Sequence, residues 1–319
     1  MFAPRLNSST WQLSMLTFFA IMPIALAYLA GWTAKATGLL RTEHWVGIEL
    51  LSFRILIPAI LIKFIATADL SSGGFGYFAF ALVLLVIIGA VLALGTRAIM
   101  SKEALSAASL STVFQTTTRW NAFIALSAAE LLGGSELLVL IALGMTVLIP
   151  FINVLNILVI VSLCGGETGP RRIFKALAIN PLIIGSVIGL ALNFAPFDVP
   201  STVFEALDII GRAALGIGLL VVGAGISLDR LRRFNAAVAY GAIYRPVAMP
   251  LVFMALATVF GLSPLETLAG VLVASVPAAT NGYVVARAMG GDAELYADIL
   301  IYQTFVSMIT IPIYAAFIL

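Results

Sequence analysis

The stretches IMPIALAYLAG (residues 21–31) and INPLIIGSVIG (residues 179–189) start 158 residues apart and share Ile, Pro and Gly at equivalent places. The same offset carries Arg54 onto Arg212, Gly133 onto Gly291, Glu136 onto Glu294 and Leu137 onto Leu295. One register held from a first apolar span to a last loop implies two related halves. Five apolar spans are counted between Pro23 and Pro181. An odd number turns the second half upside down in a bilayer, the arrangement of inverted-repeat secondary transporters.

The composition sets the solvent. The chain is 62% hydrophobic and 10% charged, with mean hydropathy +1.13, whereas a soluble domain carries about 25% charged residues. This is the composition of an integral membrane protein. At roughly 20 apolar residues per spanning helix, ten spans are predicted, near 13–34, 45–67, 75–98, 104–131, 136–162, 173–195, 202–227, 234–260, 266–289 and 293–318. They divide into a first five-helix repeat over 1–165 and a second, inverted one over 166–319. The opening MFAPRLNSSTWQLS shows no small-residue cleavage site before a full-length span and is not read as a signal peptide.

Little nucleophile or metal chemistry is available. Cys164 and His44 are single, so an intrachain disulfide or a CxxC site is excluded, and His44 sits near a predicted helix start. HExxH, GxSxG and GxxxxGK[ST] are absent, which argues against an intramembrane protease, a hydrolase or an ATP-driven pump. The reading is a non-enzyme driven by gradients. Lys35, Arg41, Arg97, Lys102, Arg171, Arg172, Lys175, Arg230, Arg232, Arg233 and Arg287 fall in the odd-numbered connections, against Arg5 and Lys63 on the opposite side. The positive-inside rule then places both termini away from the cytoplasm. Topology accounts for these basic residues, so no nucleic-acid partner is expected.

The informative residues are those that cost energy in lipid. Arg54, Arg119, Arg212 and Arg245 fall inside predicted spans; each mid-membrane charge costs roughly 3 kcal/mol on insertion scales and faces a partner or a wet cavity. Asp208 and Arg212, spaced i,i+4, share a helical face, whereas Glu49 and Arg54 are five apart. Structural ion pairs and substrate contacts both fit these charges. Two spans look broken at corresponding places. The fourth reads STVFQTTTRWNAFIALSAA (residues 111–129), with the break assigned to Thr116 and Thr117. The ninth contains Pro277 and the turn dipeptide Asn281-Gly282. Broken helices are tolerated where freed backbone faces protein or a water-filled cavity. Two crossing at the midplane would aim positive half-helix amino termini at an anion, with Arg119 beside one of them; a kink used for packing is the alternative. Asn121 and Asn281 are 160 apart, so matching them needs a two-residue gap in the 158 register.

These residues resemble the auxin efflux carrier family, which includes plant PIN carriers and bacterial malonate and malate permeases. The carrying segments are VPAATNGYVVARAMGGDAELYADILIYQTFVSMITIPIY (residues 276–314), RWNAFIALSAAELLGG (residues 119–134) and INPLIIGSVIG. No long loop separates the halves, so the bacterial branch fits better than the long plant carriers.

The resemblance implies an all-α membrane fold of ten helices in two five-helix inverted repeats, similar to bile-acid symporters and sodium–proton antiporters. Spans 1, 2, 6 and 7 would form a scaffold that dimerises. Spans 3–5 and 8–10 would form a transport unit that shuttles substrate by an elevator-like displacement. Asn121 and Asn281 would bind a substrate carboxylate, within a candidate set completed by Arg119, Thr118, Gly282 and Tyr283. Arg54, Asp208 and Arg212 would lie on the scaffold side. The expected function is secondary transport of small organic anions, malonate- or malate-type dicarboxylates or auxin-like monocarboxylates, across the inner membrane. The alternatives are a sodium-coupled symporter of larger amphipathic anions, with Gln115, Asn153, Asn156 and Gln303 as polar candidates, or a non-transporting sensor. No cofactor is expected; coupling to Na+ or H+ stays open, with Asp298 and Glu130 as candidate proton carriers. The expected partners are the anion, the bilayer and a second copy of the chain.

Overall fold

The computed structural model describes residues 8–67, 75–101, 105–165, 178–195, 199–280 and 282–319, and these contain helices and no strands. In chain order the α-helices are α1 Ser8–Ala36, α2 Thr42–Leu51, α3 Ile57–Ala66, α4 Phe75–Ile99, α5 Ala107–Thr118, α6 Ala122–Cys164, α7 Pro181–Asn193, α8 Ser201–Gly225, α9 Ala236–Ile243, α10 Met249–Phe260, α11 Pro264–Ser275, α12 Gly282–Ala288 and α13 Ala293–Ile318. π-Helical turns at Ser52–Leu56 and Tyr244–Ala248 join α2 to α3 and α9 to α10. Among the described residues, five stretches are long and apolar enough to cross a membrane: Phe75–Ile99, Ala107–Cys164, Ser201–Gly225, Ala236–Phe260 and Ala293–Ile318. The protein is an all-helical, multi-pass membrane protein.

Local chemistry sets the helix ends. Ser106 accepts from the amide of Ser109 at the start of α5. Ser263 and Glu266 form a reciprocal capping box at the start of α11, where Pro264 takes the first-turn position that needs no N–H. Asn180, Asn235 and Asp292 cap α7, α9 and α13 with side-chain oxygens. Gly134, at φ 57° and ψ −145°, interrupts α6 in a conformation that a side chain would disfavour.

Packing is closest where glycines face backbone. A Cβ on Gly31 of α1 would lie 2.0 Å from the carbonyl oxygen of Leu220, and one on Gly223 of α8 would lie 2.1 Å from that of Tyr28. The two helices therefore meet almost backbone to backbone, as small residues allow in lipid. Phe78 of α4 meets Phe253 of α10 edge-on at 6.3 Å within the main core. Val91, Ile209, Val259 and Phe317 stand exposed on the outside, as a bilayer-facing surface requires.

The paired motifs that suggested a repeat have different local roles. Pro23 lies inside the continuous helix α1, whereas Pro181 starts α7 after a break at residues 179–180. The two interrupted helices agree better. Helices α5 and α11 have 12 residues each and begin 157 positions apart. Each is followed by an extended residue, Arg119 (φ −75°, ψ 149°) and Val276 (φ −66°, ψ 151°). The helices resume at Ala122 and Gly282, 160 apart, so the second interruption is three residues longer.

The first break also falls later than the threonine run suggested. Thr116 and Thr117 are helical, and their hydroxyls donate back to the carbonyls of Thr112 and Val113. This back-bonding keeps polar side chains satisfied without opening the helix. The chain leaves the helix after Thr118, at Arg119–Asn121.

Candidate substrate cavity at the helix crossing

The two breaks are bonded to each other. Asn121 donates its backbone N–H to the carbonyl of Pro277 at 2.9 Å. This leaves the Thr117 carbonyl, which would normally accept from residue 121, without a helical donor. Pro277 has no N–H, so the Val273 carbonyl is open for the same reason. One side chain closes both gaps. Arg245, 4% exposed, donates through its guanidinium to the carbonyls of Thr117, Val273 (2.6 Å) and Val276 (2.9 Å).

Gln303 completes the brace. Its amide donates to the carbonyls of Thr116 (3.0 Å) and Gly241 (2.7 Å), and its oxygen accepts from the Ala278 amide at 2.8 Å. Ser307 donates to the Ser275 carbonyl at 2.6 Å, and Tyr296 to that of Ala279 at 2.6 Å. The freed backbone is thus satisfied by protein side chains, as irregular structure within a bilayer demands.

A cavity of about 380 Å3 opens beside this crossing. Its polar wall groups are Glu49, Arg119, Asn121, Asn153, Asn180 and Thr280, and Phe53, Ile57, Trp120, Phe123, Ile149 and Ile152 supply much of the apolar surface. Arg119 is 6% exposed; one terminal nitrogen lies 3.3 Å from the Asn153 oxygen, and its Nε is buried without a partner among the described residues. The Asn121 oxygen caps the next helix by accepting from the amides of Phe123 and Ile124, and its buried Nδ2 has no partner among the described residues. Two donors on residues of one cavity wall are thus buried and unpaired among the described residues, and an acceptor ligand would satisfy both once a shift of the wall exposed them. Across the cavity, Thr280 donates to the Glu49 carboxylate at 2.9 Å.

The other candidates are placed as follows. Asn281 lies outside the described residues. Thr118 is buried against Asn156, which donates to its hydroxyl at 3.0 Å, and does not line this cavity. Gly282 starts α12 directly under the Tyr296 ring, where a Cβ would come within 2.0 Å of the hydroxyl; Tyr283 packs beside that ring.

Asp208 accepts from both Lys63 (2.6 Å) and Arg212 (2.8 Å), while Arg212 also reaches Glu130 at 2.7 Å. The expected Asp208–Arg212 pair is therefore part of a four-residue network. Arg54 is exposed on the π-helical turn and does not line the cavity. Asp298 is paired with Arg230 at 2.8 Å. Burial works against the Arg230 cation, but hydrogen bonds to Asp298 and Glu294 outweigh it and hold its pKa above the ordinary arginine value. Of the polar side chains considered for sodium, Gln303, Asn153 and Asn156 are engaged as above, and Gln115 is buried with both amide atoms unpartnered.

The roles of Arg245, Gln303 and Glu49 carried no local sequence signal. Arg245 was visible only as a mid-span charge, because its carbonyl partners lie 28 to 128 positions away.

The chain is similar to known membrane transport proteins. Residues 170–315 match the family described as "Membrane transport protein". A Rhizobium meliloti (strain 1021) protein named "Putative malonate transporter" is 26% identical over 189 residues, covering 54% of this chain and 59% of that protein. Both comparisons are thus with membrane transport proteins, and that is what this chain is similar to. The chain thus spans about three fifths of the relative's length, and the family model matches the segment from the predicted sixth span to the predicted last.

Proposed function

We propose that this chain is a member of the auxin efflux carrier family and a secondary transporter of small organic anions, working by alternating access across the inner membrane. The observation that carries the reading is a cavity between two broken helices whose wall includes Arg119 and Asn121, each with a buried donor unpaired among the described residues. Half-helix termini at a crossing are where secondary transporters hold charged substrates. A malonate-type dicarboxylate is suggested by the relative's name, and a monocarboxylate fits the same donors. The charge inventory, one arginine with Glu49 on the same cavity, favours a ligand presenting a single negative charge to Arg119.

Ten spans in two inverted five-helix repeats, with both termini on the non-cytoplasmic side, give this site its place near the midplane. Spans 1, 2, 6 and 7 act as a scaffold that dimerises, and spans 3–5 and 8–10 as a moving unit. Three features support this division. The cavity has walls from both groups: Glu49, Phe53 and Asn180 on one side, Arg119, Asn121 and Thr280 on the other. The moving unit is internally braced by Arg245, Gln303, Ser307 and Tyr296. Between the groups, Thr280–Glu49 and Arg212–Glu130 are side-chain links that can exchange for water as the unit shifts.

The test is uptake of labelled malonate and acetate into proteoliposomes, with thermal unfolding as the control for folding. Wild-type protein should accumulate at least one of them, and Arg119→Ala should abolish that uptake while remaining folded. Undiminished uptake by a folded Arg119→Ala protein would remove this site from consideration.

A further inference from the structure

We infer that the guanidinium of Arg245 occupies the place of a coupling cation at the crossing, so that this transporter carries that charge covalently and binds no Na+ there. The inference rests on the transport reading above for its meaning, and on the geometry of the crossing for its content.

Helices α5 and α11 both end at the crossing, and the carboxyl end of a helix carries about half a negative charge on its unsatisfied carbonyls. In secondary transporters such ends, with unwound carbonyls beside them, coordinate the coupling Na+ or H+. Here the carbonyls in that role are those of Thr117, Val273 and Val276, and all three already accept from Arg245. They come from both broken helices. All three bonds of the guanidinium go to carbonyls, so its charge is balanced by two helix ends, as a bound metal cation's would be. A planar fork with five donors spans such a set better than an ammonium point charge.

The placement is built by the backbone. Pro277 removes the donor that would have closed the Val273 carbonyl, and the Asn121 amide is diverted to Pro277. Arg245 itself projects from the π-helical turn Tyr244–Ala248, packed at 4% exposure. Because an arginine stays protonated in proteins, this cation is present in every state of a transport cycle. Substrate binding at Arg119 and Asn121 therefore needs no second ligand at the crossing.

The experiment uses the full chain in NaCl, KCl or choline chloride at equal ionic strength, read by thermal unfolding and by carboxylate uptake in proteoliposomes. For wild-type protein, the unfolding temperature and the uptake rate should be the same in all three salts, within about twofold for the rate. Arg245→Ala should unfold at a lower temperature and recover several degrees in NaCl relative to choline, because Na+ then binds the vacated carbonyls in the folded state. Arg245→Lys, which retains a cation, should stay insensitive to the salt. If Arg245→Ala does not fold, Arg245→Gln keeps the bulk without the charge and takes its place.

The proposal is overturned if wild-type protein is stabilised by Na+, or if its uptake falls about tenfold or more without Na+. It is equally overturned if the neutral variants show no preference for Na+. Should no carboxylate move in any salt, the transport reading fails, while the unfolding measurements still decide what fills the crossing.

Discussion

The backbone amide of Asn121 donates to the carbonyl of Pro277 across 2.9 Å, while the Asn121 side chain caps the helix that starts one residue later. One residue thus joins the two breaks and leaves its Nδ2 unpaired at the cavity.

These duties separate by substitution. Asn121→Ala should lose about 1 kcal/mol of stability with the cap. Asn121→Asp retains an oxygen for the amides of Phe123 and Ile124, so its unfolding temperature should stay closer to wild type. Both lack the Nδ2 donor. A hydrogen bond to a charged ligand contributes about 1.5–3 kcal/mol, so both should bind the transported anion about ten- to a hundredfold more weakly in titration calorimetry.

Glu49 faces the same cavity as Arg119. A second negative charge within about 8 Å costs about 2 kcal/mol at an effective dielectric constant of 20. Glu49→Gln can still accept from Thr280 but removes that repulsion. Its affinity for malonate should rise about thirtyfold relative to its affinity for acetate, measured by ligand-dependent thermal shift. An unchanged ratio would place the ligand's second carboxylate elsewhere.

The Arg212–Glu130 bridge is half open to its surroundings, with Arg212 at 47% side-chain exposure. Exposed pairs of this kind contribute less than about 1 kcal/mol, so Glu130→Gln should barely move the unfolding temperature. Its effect belongs in the exchange rate between the two faces of the membrane, since the bridge links α6 to α8. Counterflow assays should show a changed rate with unchanged substrate affinity.

Gly31→Ala should lower stability by about 1–3 kcal/mol or more, because its Cβ would meet the Leu220 carbonyl at 2.0 Å and force α1 from α8. Chemical or thermal unfolding checks this directly, without any need for a ligand.

The helical pattern was legible wherever apolar runs were long: among the described residues five stretches are long and apolar enough to cross a membrane, and Ser106, Ser263 and Asn180 cap helices as their residue types favour. Arg119 and Asn121 stood out because charge and amide are costly in an apolar run, and they line the cavity. The exact break did not show, because threonines that weaken a helix in isolation satisfy themselves by back-bonding when buried. The single offset of 158 concealed 157 before the breaks and 160 after them, since identities in loops cannot locate an insertion inside a span. The bracing roles of Arg245, read only as a mid-span charge, and of Gln303, read as a polar candidate for sodium, did not show. Their partners are backbone carbonyls, which are present at every position and leave no trace in residue identity.

The bond between the two breaks also has a consequence for synthesis. Chains are made from the amino terminus, and early segments enter the bilayer first. Until residues 245, 277 and 303 have been inserted, the carbonyls of Thr116 and Thr117 and the amide of Asn121 lack the partners they have in the finished molecule. Unpaired backbone groups in hydrocarbon cost several kcal/mol each. Without those later residues the first half can pair the Asn121 amide with the Thr117 carbonyl only as continuous helix, so the break takes its finished form when the second half is present.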